Sequence, residues 1–201
     1  MRIANYIYLS PTGNQFTNSG AVNFIQVYDY IQNNANLYGG EVGLHFHPHP
    51  LDWLHIGQSL SYVTAHFVGA TNTDQYYLPN IPPMRLVSNV QAEFPKFGHY
   101  LQDLELGVNY MYVWRQTQIY SAFQTETNTN AYGLMNAKLS AKMNIRWFES
   151  LDVVVSGNNL LNTVYQDHLS RLKYAPLNTA NGYNGVWNMG RNISVQVMIG
   201  I

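Results

Sequence analysis

The chain has 201 residues, of which 46% are hydrophobic, 14% aromatic and 10% charged, with a formal net charge of -1. A soluble domain usually carries about a quarter charged residues; here the polar half is mostly uncharged Tyr, Asn, Gln, Ser and Thr, and the charge balance provides no basis for a nucleic-acid partner. With no cysteine, disulfides and thiolate ligands or nucleophiles are excluded, and no apolar run reaches the length of about 18 residues that a membrane-spanning helix needs.

The opening Met1-Arg2-Ile3-Ala4-Asn5-Tyr6 has no basic region, apolar run or small-residue cleavage site of a secretory signal. It reads as the end of a strand over residues 2–9, shorter than the roughly nine to eleven residues a tilted membrane strand needs. A Gly/Asn/Ser/Thr-rich loop follows over 10–23. Residues 24–47 are β-prone, with Asn33, Asn34 and Asn36 marking a bulge; beyond it Val42, Leu44 and Phe46 oppose Glu41, Gly43, His45 and His47. Pro48, Pro50 and Asp52 turn the chain into a third strand, 53–67, with Leu54, Ile56, Leu60 and Tyr62 on one side.

In the fourth strand Leu86, Val90, Ala92 and Phe94 oppose Arg85, Asn89, Gln91 and Glu93. A short connection over 95–98 leads to the fifth, where Leu104, Leu106, Val108, Tyr110, Tyr112 and Trp114 oppose Asp103, Glu105, Gly107, Asn109, Met111 and Arg115. The sixth alternates Met135, Ala137, Leu139, Ala141, Met143 and Ile145 with Asn136, Lys138, Ser140, Lys142 and Asn144, and the seventh uses Leu151, Val153 and Val155. The last, 190–201, alternates Ile193, Val195, Val197, Ile199 and Ile201 with Asn192, Ser194, Gln196, Met198 and Gly200. Period-two patterning in every segment makes the protein all-β, an antiparallel meander of about eight strands.

Short connections (48–52, 95–98, 146–150) alternate with long polar ones (10–23, 68–83, 116–130, 159–189). Short turns at one end and long loops at the other are the pattern of an outer-membrane barrel. Trp53, Phe94, Phe97, Trp147 and Phe148 fall near the short-turn end, and Tyr110, Tyr112, Trp114 and Tyr120 near the long-loop end, as two interfacial girdles would. Two alternatives share the strand pattern. A soluble ligand-binding barrel would turn the apolar face inward, against which stand the scarcity of charge and the aromatics at both strand ends. A self-contained eight-stranded outer-membrane barrel would need a longer first strand.

Four motifs then follow one another in order. Leu37-Tyr38-Gly39-Gly40-Glu41 is a Tyr-Gly-x-Glu strand, and Leu78-Pro79-Asn80-Ile81-Pro82-Pro83-Met84-Arg85 a Leu-Pro-x-Ile-Pro loop exit. Asn159-Leu160-Leu161-Asn162 precedes Tyr165, and after a long loop containing His168, Gly190-Arg191 opens the last strand. In these the chain resembles the C-terminal β-barrel portion of TonB-dependent outer-membrane receptors. One departure is the final Ile201, where outer-membrane barrels usually end in an aromatic.

The resemblance implies that the eight strands are transmembrane and form the C-terminal part of a barrel of about 22 strands, with plug domain, TonB box and signal peptide absent from this sequence. It implies an outer-membrane lipid surround. In the intact receptor the partners are the plug, TonB and a scarce ligand, with ferric siderophore or another metal complex favoured. It implies no covalent chemistry and no resident cofactor.

Candidate sites are of three kinds. His45, His47 and His49 form the cluster with metal-ligand character, because alternate strand positions place imidazoles on one side; it lies at the short-turn end, periplasmic by the resemblance. Tyr76, Tyr77, Arg171, Lys173, Tyr174 and Trp187, on long loops, are ligand contacts suited to an anionic, aromatic chelate. Charged residues on the polar face, Glu41, Arg85, Glu93, Asp103, Glu105, Arg115, Lys138, Lys142 and Asp152, are placed to pair across strands. Of catalytic arrangements only His168 and Ser170 stand close in sequence, and adjacency in a loop does not make a dyad.

Overall fold

The computed structural model describes residues 1–17, 24–98, 101–145, 148–175, 177–178 and 182–200. The alternating segments form strands β1 (Arg2–Thr17), β2 (Phe24–Phe46), β3 (Leu54–Phe67), β4 (Arg85–Phe97), β5 (Leu101–Val113), β6 (Tyr132–Ile145) and β7 (Phe148–Asn158). Two short pieces, β8 (Leu177–Asn178) and β9 (Tyr183–Asn184), precede β10 (Asn192–Gly200). Eight of them make one antiparallel sheet in the order β1-β2-β3-β4-β5-β6-β7-β10, and β8 and β9 pair separately within the loop before β10. Each strand thus pairs with its neighbour along the main sheet. Among the described residues no ladder joins β1 to β10, so both edges of the sheet stand open.

β1 corrects the expectation of a short first strand: it has 16 residues and is long enough to cross a bilayer. The Gly/Asn-rich stretch joins the ladder because irregularities between Ile3 and Tyr6 and between Pro11 and Gln15 absorb residues that a regular strand excludes, Asn5 at φ 54° and Gly13 at φ 80°. The bulge expected in β2 at Asn33 to Asn36 lies across the ladder instead, on β1; Asn34 contributes its side-chain oxygen to the Asn5 N–H at 3.1 Å.

Register decides which side chains share a face. Asn89 pairs with Asn109, and Asn109 with Asn136, across β4, β5 and β6. Their amides form a ladder, Asn109 donating to Asn89 at 2.6 Å and Asn136 to Asn109 at 3.2 Å. On that face Glu105 accepts from Gln91, Lys138 and Ser140, Glu41 from Ser59, and Arg85 donates to Ser61. Glu105 and Lys138 thus form an ion pair across strands at 3.4 Å, whereas Glu41 and Arg85 bond to serines, and Glu105, Lys138 and the Asn ladder line a groove of about 330 Å³.

The other face carries Val42, Leu44, Phe46, Val90, Leu106, Val108, Leu139, Ile193, Val195 and Val197, all exposed. A contiguous apolar face of this extent does not belong in water. At one end of the sheet, described loop residues fold over the polar side. There Leu78, Ile81, Tyr120 and Ala122 from the loops pack on Tyr8, Ala35, Ala65 and Phe67. A second cluster joins Val113, Tyr132 and Leu134, with Met111 and Tyr165 against it.

Candidate functional site

Among the described residues, three loops form the long-loop end: 68–84 after β3, 114–131 after β5 and the described parts of 159–191 after β7. The first continues the sheet for a few residues, as Phe67 donates to the Tyr76 carbonyl at 2.9 Å and Leu78 to the Ala65 carbonyl at 3.1 Å. That contact drops Leu78 and Ile81 onto the inner face. Tyr120 of the second loop follows, 1% exposed, against Tyr8 and Phe67 with ring centroids 5.9 and 6.2 Å away.

Beneath this layer a buried polar network fastens the three loops together. The Glu126 carboxylate accepts from the Asn80 N–H at 3.0 Å, the Tyr120 N–H at 2.8 Å and His168 Nε2 at 3.0 Å. With Nε2 donating, His168 Nδ1 is the acceptor, and it lies 2.8 Å from Thr129 Oγ1 and 3.2 Å from Lys173 Nζ. The Lys173 ammonium also donates to the Thr127 carbonyl and to Thr129 Oγ1, each at 3.1 Å. Burial lowers the Lys173 pKa, and the carboxylates of Glu126 and Asp167 oppose that shift. Its members come from all three loops, so the network holds the loops to one another.

Above it opens a pocket of about 670 Å³, lined by Tyr6, Tyr8, Tyr28, Ile81, Tyr120, Phe123, Glu126, Arg171 and Tyr174 among others. Its size is that of a small-molecule site. A 3-10 turn, Arg171–Tyr174, explains which loop residues reach it. With three residues per turn, positions three apart share a side, so Arg171 and Tyr174 both line the pocket while Lys173 turns inward and is 8% exposed. The Tyr174 hydroxyl accepts the Thr127 N–H at 3.4 Å, and burial raises the pKa of its phenol.

The remaining expected contacts sit elsewhere. Tyr76 stacks flat on His66 at 5.1 Å, His66 stacks on Tyr38 at 5.8 Å, and Tyr77 meets Tyr76 edge-on at 5.0 Å, forming an aromatic column away from the pocket. Trp187 is half-buried in the segment before β10. At the opposite end of the sheet His45 and His47 stand beside His55, while His49 lies 3.5 Å from Asp52 on the exposed turn. The third imidazole beside His45 and His47 is that of His55 rather than His49: register places Phe46 opposite Ile56, bringing His47 across from His55. Both nitrogens of His168 are taken by Glu126, Thr129 and Lys173, which leaves none to accept a proton from Ser170.

The motif residues have structural work. Asn159 and Asn162 adopt left-handed backbone, at φ 48° and 53°, which Asn tolerates better than most residues. Buried Asn159 donates its side-chain amide to the carbonyls of Thr163 at 2.9 Å and Met189 at 3.2 Å, and accepts the Thr163 N–H at 2.8 Å. Asn162 Oδ1 accepts the Arg191 N–H at 3.0 Å, and a Cβ on Gly190 would lie 3.0 Å from that oxygen. Leu160 packs over Gly157, exposed Leu161 does not, and Tyr165 lies on Tyr132 at 4.5 Å. The turn therefore ties the end of β7 to the entry of β10. Glu126, Tyr120, Thr129 and His55 were not singled out from the sequence as site residues; only the hairpin register could have signalled His55.

An eight-stranded antiparallel wall with a polar inner face, an apolar outer face and long loops folded over one end defines a segment of a large β-barrel. The chain belongs to the TonB dependent receptor-like β-barrel family, whose model matches residues 1–160. Among solved structures it is similar to the copper transporter OprC, at 16% identity and a TM-score of 0.67, covering 98% of this chain and 27% of that one. It is also similar to the FrpB iron transporter from Neisseria meningitidis: the F3-3 variant at 17% identity and TM-score 0.60, with 98% and 26% covered, and the F5-1 variant at 15% and 0.60, with 98% and 27% covered. The chain spans about a quarter of the length of these proteins. No curated protein sequence is significantly similar to it.

Proposed function

We propose that this chain forms part of the barrel wall and the outward mouth of an outer-membrane receptor that takes up a metal complex, most simply a ferric siderophore, with a plug domain and TonB as partners in the whole receptor. In that setting residues 1–201 are a partial barrel domain, the apolar face meets lipid, and further strands cover the open edges at β1 and β10. Uptake of this kind needs selective capture followed by release, with no bond made or broken in the cargo.

The observation that carries the reading is the 670 Å³ mouth pocket, in which the Arg171 guanidinium and the rings of Tyr8, Tyr28, Tyr120 and Tyr174 converge. A cation among aromatic faces suits an anionic chelate with planar donor groups, which it holds by charge and stacking. The copper and iron transporters of similar fold support the choice of metal cargo.

The test is quenching of intrinsic fluorescence in the full chain, folded in detergent micelles, by a ferric tris-catecholate and a ferric tris-hydroxamate. Arg171→Ala and Tyr174→Ala should each weaken binding about tenfold, as loss of one contact worth about 1.4 kcal/mol does, while Tyr76→Ala leaves it unchanged. No saturable quenching by either chelate, or equal loss in all three variants, would overturn the reading.

A further inference from the structure

We infer that His45, His47 and His55 form a binding site for a bare divalent transition metal of the Zn2+, Cu2+ or Ni2+ class, on the inner wall at the short-turn end. It is separate from the mouth pocket and does not depend on what binds there.

The hairpin of β2 and β3 creates the arrangement. Its register pairs His45 with Gly57 and Phe46 with Ile56, so His47 stands across from His55, and His45 lies two residues back on the same face. The rings of His45 and His47 are 4.4 Å apart and inclined at 67°, and those of His47 and His55 are 4.4 Å apart at 88°. His45 and His55 close the triangle at 6.2 Å. One nitrogen from each ring lies within 4.8 Å of the other two.

Zinc–imidazole bonds of about 2.0–2.1 Å at tetrahedral angles need nitrogens roughly 3.3 Å apart. Closing the difference takes small side-chain rotations, and His45 and His47 are exposed enough to make them freely. Imidazole is a borderline donor, which selects Zn2+, Cu2+ and Ni2+ over Ca2+ or Mg2+. Glu93, on the neighbouring strand, has Oε2 3.8 Å from His55 Nε2 and supplies a carboxylate beside the donors.

Three protein imidazoles leave a fourth position of the site for water or an exchangeable ligand. The site lies at the end of the wall opposite the mouth, on the polar face that carries the Asn ladder and the Glu105–Lys138 pair.

The experiment uses the full chain in detergent micelles, freed of metal, with Zn2+ and Cu2+ alone as probes. Wild-type chain should bind one ion, with nitrogen hyperfine structure in the Cu2+ spectrum. Losing a direct ligand should cost at least what losing an outer-shell partner costs, about tenfold in affinity, so His55→Gln and His47→Gln weaken binding by that much while His49→Gln does not. A second measurement needs no variant: Zn2+ should protect His45, His47 and His55 from diethyl pyrocarbonate and leave His49 as reactive as before, read by mass spectrometry. Absence of binding at 100 µM metal, on the order of a hundred times a micromolar Kd, overturns the inference. So does protection or loss of affinity at His49 equal to that at His55.

Discussion

Glu126→Gln tests whether the mouth is held by the buried network. The carboxylate uses one oxygen for the Asn80 N–H and His168 Nε2 and the other for the Tyr120 N–H. In Gln one of those positions becomes an amide that can only donate, so at least one buried N–H faces a donor. Leaving it unsatisfied costs about 1–3 kcal/mol, and the bonds that survive change from charge-assisted to neutral, for a total of about 2–4 kcal/mol. At 1.4 kcal/mol per factor of ten, local opening should become roughly 30- to 700-fold more frequent. Hydrogen exchange followed by mass spectrometry on the chain in micelles reads this directly: amides in 116–130 and 165–175 accelerate by that factor, while β5 and β6, held by their own ladder, do not. Lys173→Met added to Glu126→Gln should cost less than the sum of the two, because each variant has already unbalanced the other's charge. Exchange within threefold of the parent in both loops would refute the idea that Glu126 holds them.

The proposed lipid exposure of the apolar face predicts a contrast within β10: Val195→Lys should destabilise the chain folded into lipid vesicles by about 2–4 kcal/mol, whereas Gln196→Lys, on the polar face, costs little, by urea titration. Equal effects would contradict the assignment of faces. Asn159→Ala, which forfeits three side-chain hydrogen bonds and the tolerance of Asn for left-handed backbone at φ 48°, should cost about 3 kcal/mol, and Asn159→Gly about 1 kcal/mol less, by the midpoint of urea unfolding. Because burial raises the Tyr174 pKa above its unfolded value of 10.0, its protonated form stabilises the loop below pH 10.0, and that contribution disappears as pH climbs through the folded pKa. Absorbance titration at 295 nm should therefore show Tyr174→Phe lacking one step that lies above pH 10 in the parent; a missing step at or below 10 would contradict it.

Much of the wall was legible in the chain itself. Alternation in segments such as 135–145 and 190–201 depends on neighbours two residues apart, so strand identity and the membership of each face follow from local order. β1 was misjudged because its Gly and Asn residues look like loop until β2 offers a ladder that accommodates them as bulges. At the mouth, Arg171 and Tyr174 could be named from residue type and loop position. The inward turn of Lys173 could not, since its partners Thr127 and Thr129 lie 46 and 44 residues away. His55 escaped for a related reason: its neighbours are set by hairpin register rather than by spacing.

By itself, then, the sequence determined that this is a β meander with one apolar and one polar face, long loops at one end, and the motif order of its family. Which face is covered was a tertiary decision. Alternation is symmetric between the two sides of a sheet, and the symmetry was broken only when the loops bearing Leu78, Ile81 and Tyr120 packed onto Tyr8, Ala65 and Phe67, leaving the valines and isoleucines of β10 exposed. The same folding assembled the pocket, the Glu126 network and the three imidazoles, because each joins residues brought together by strand pairing or loop packing across long stretches of chain.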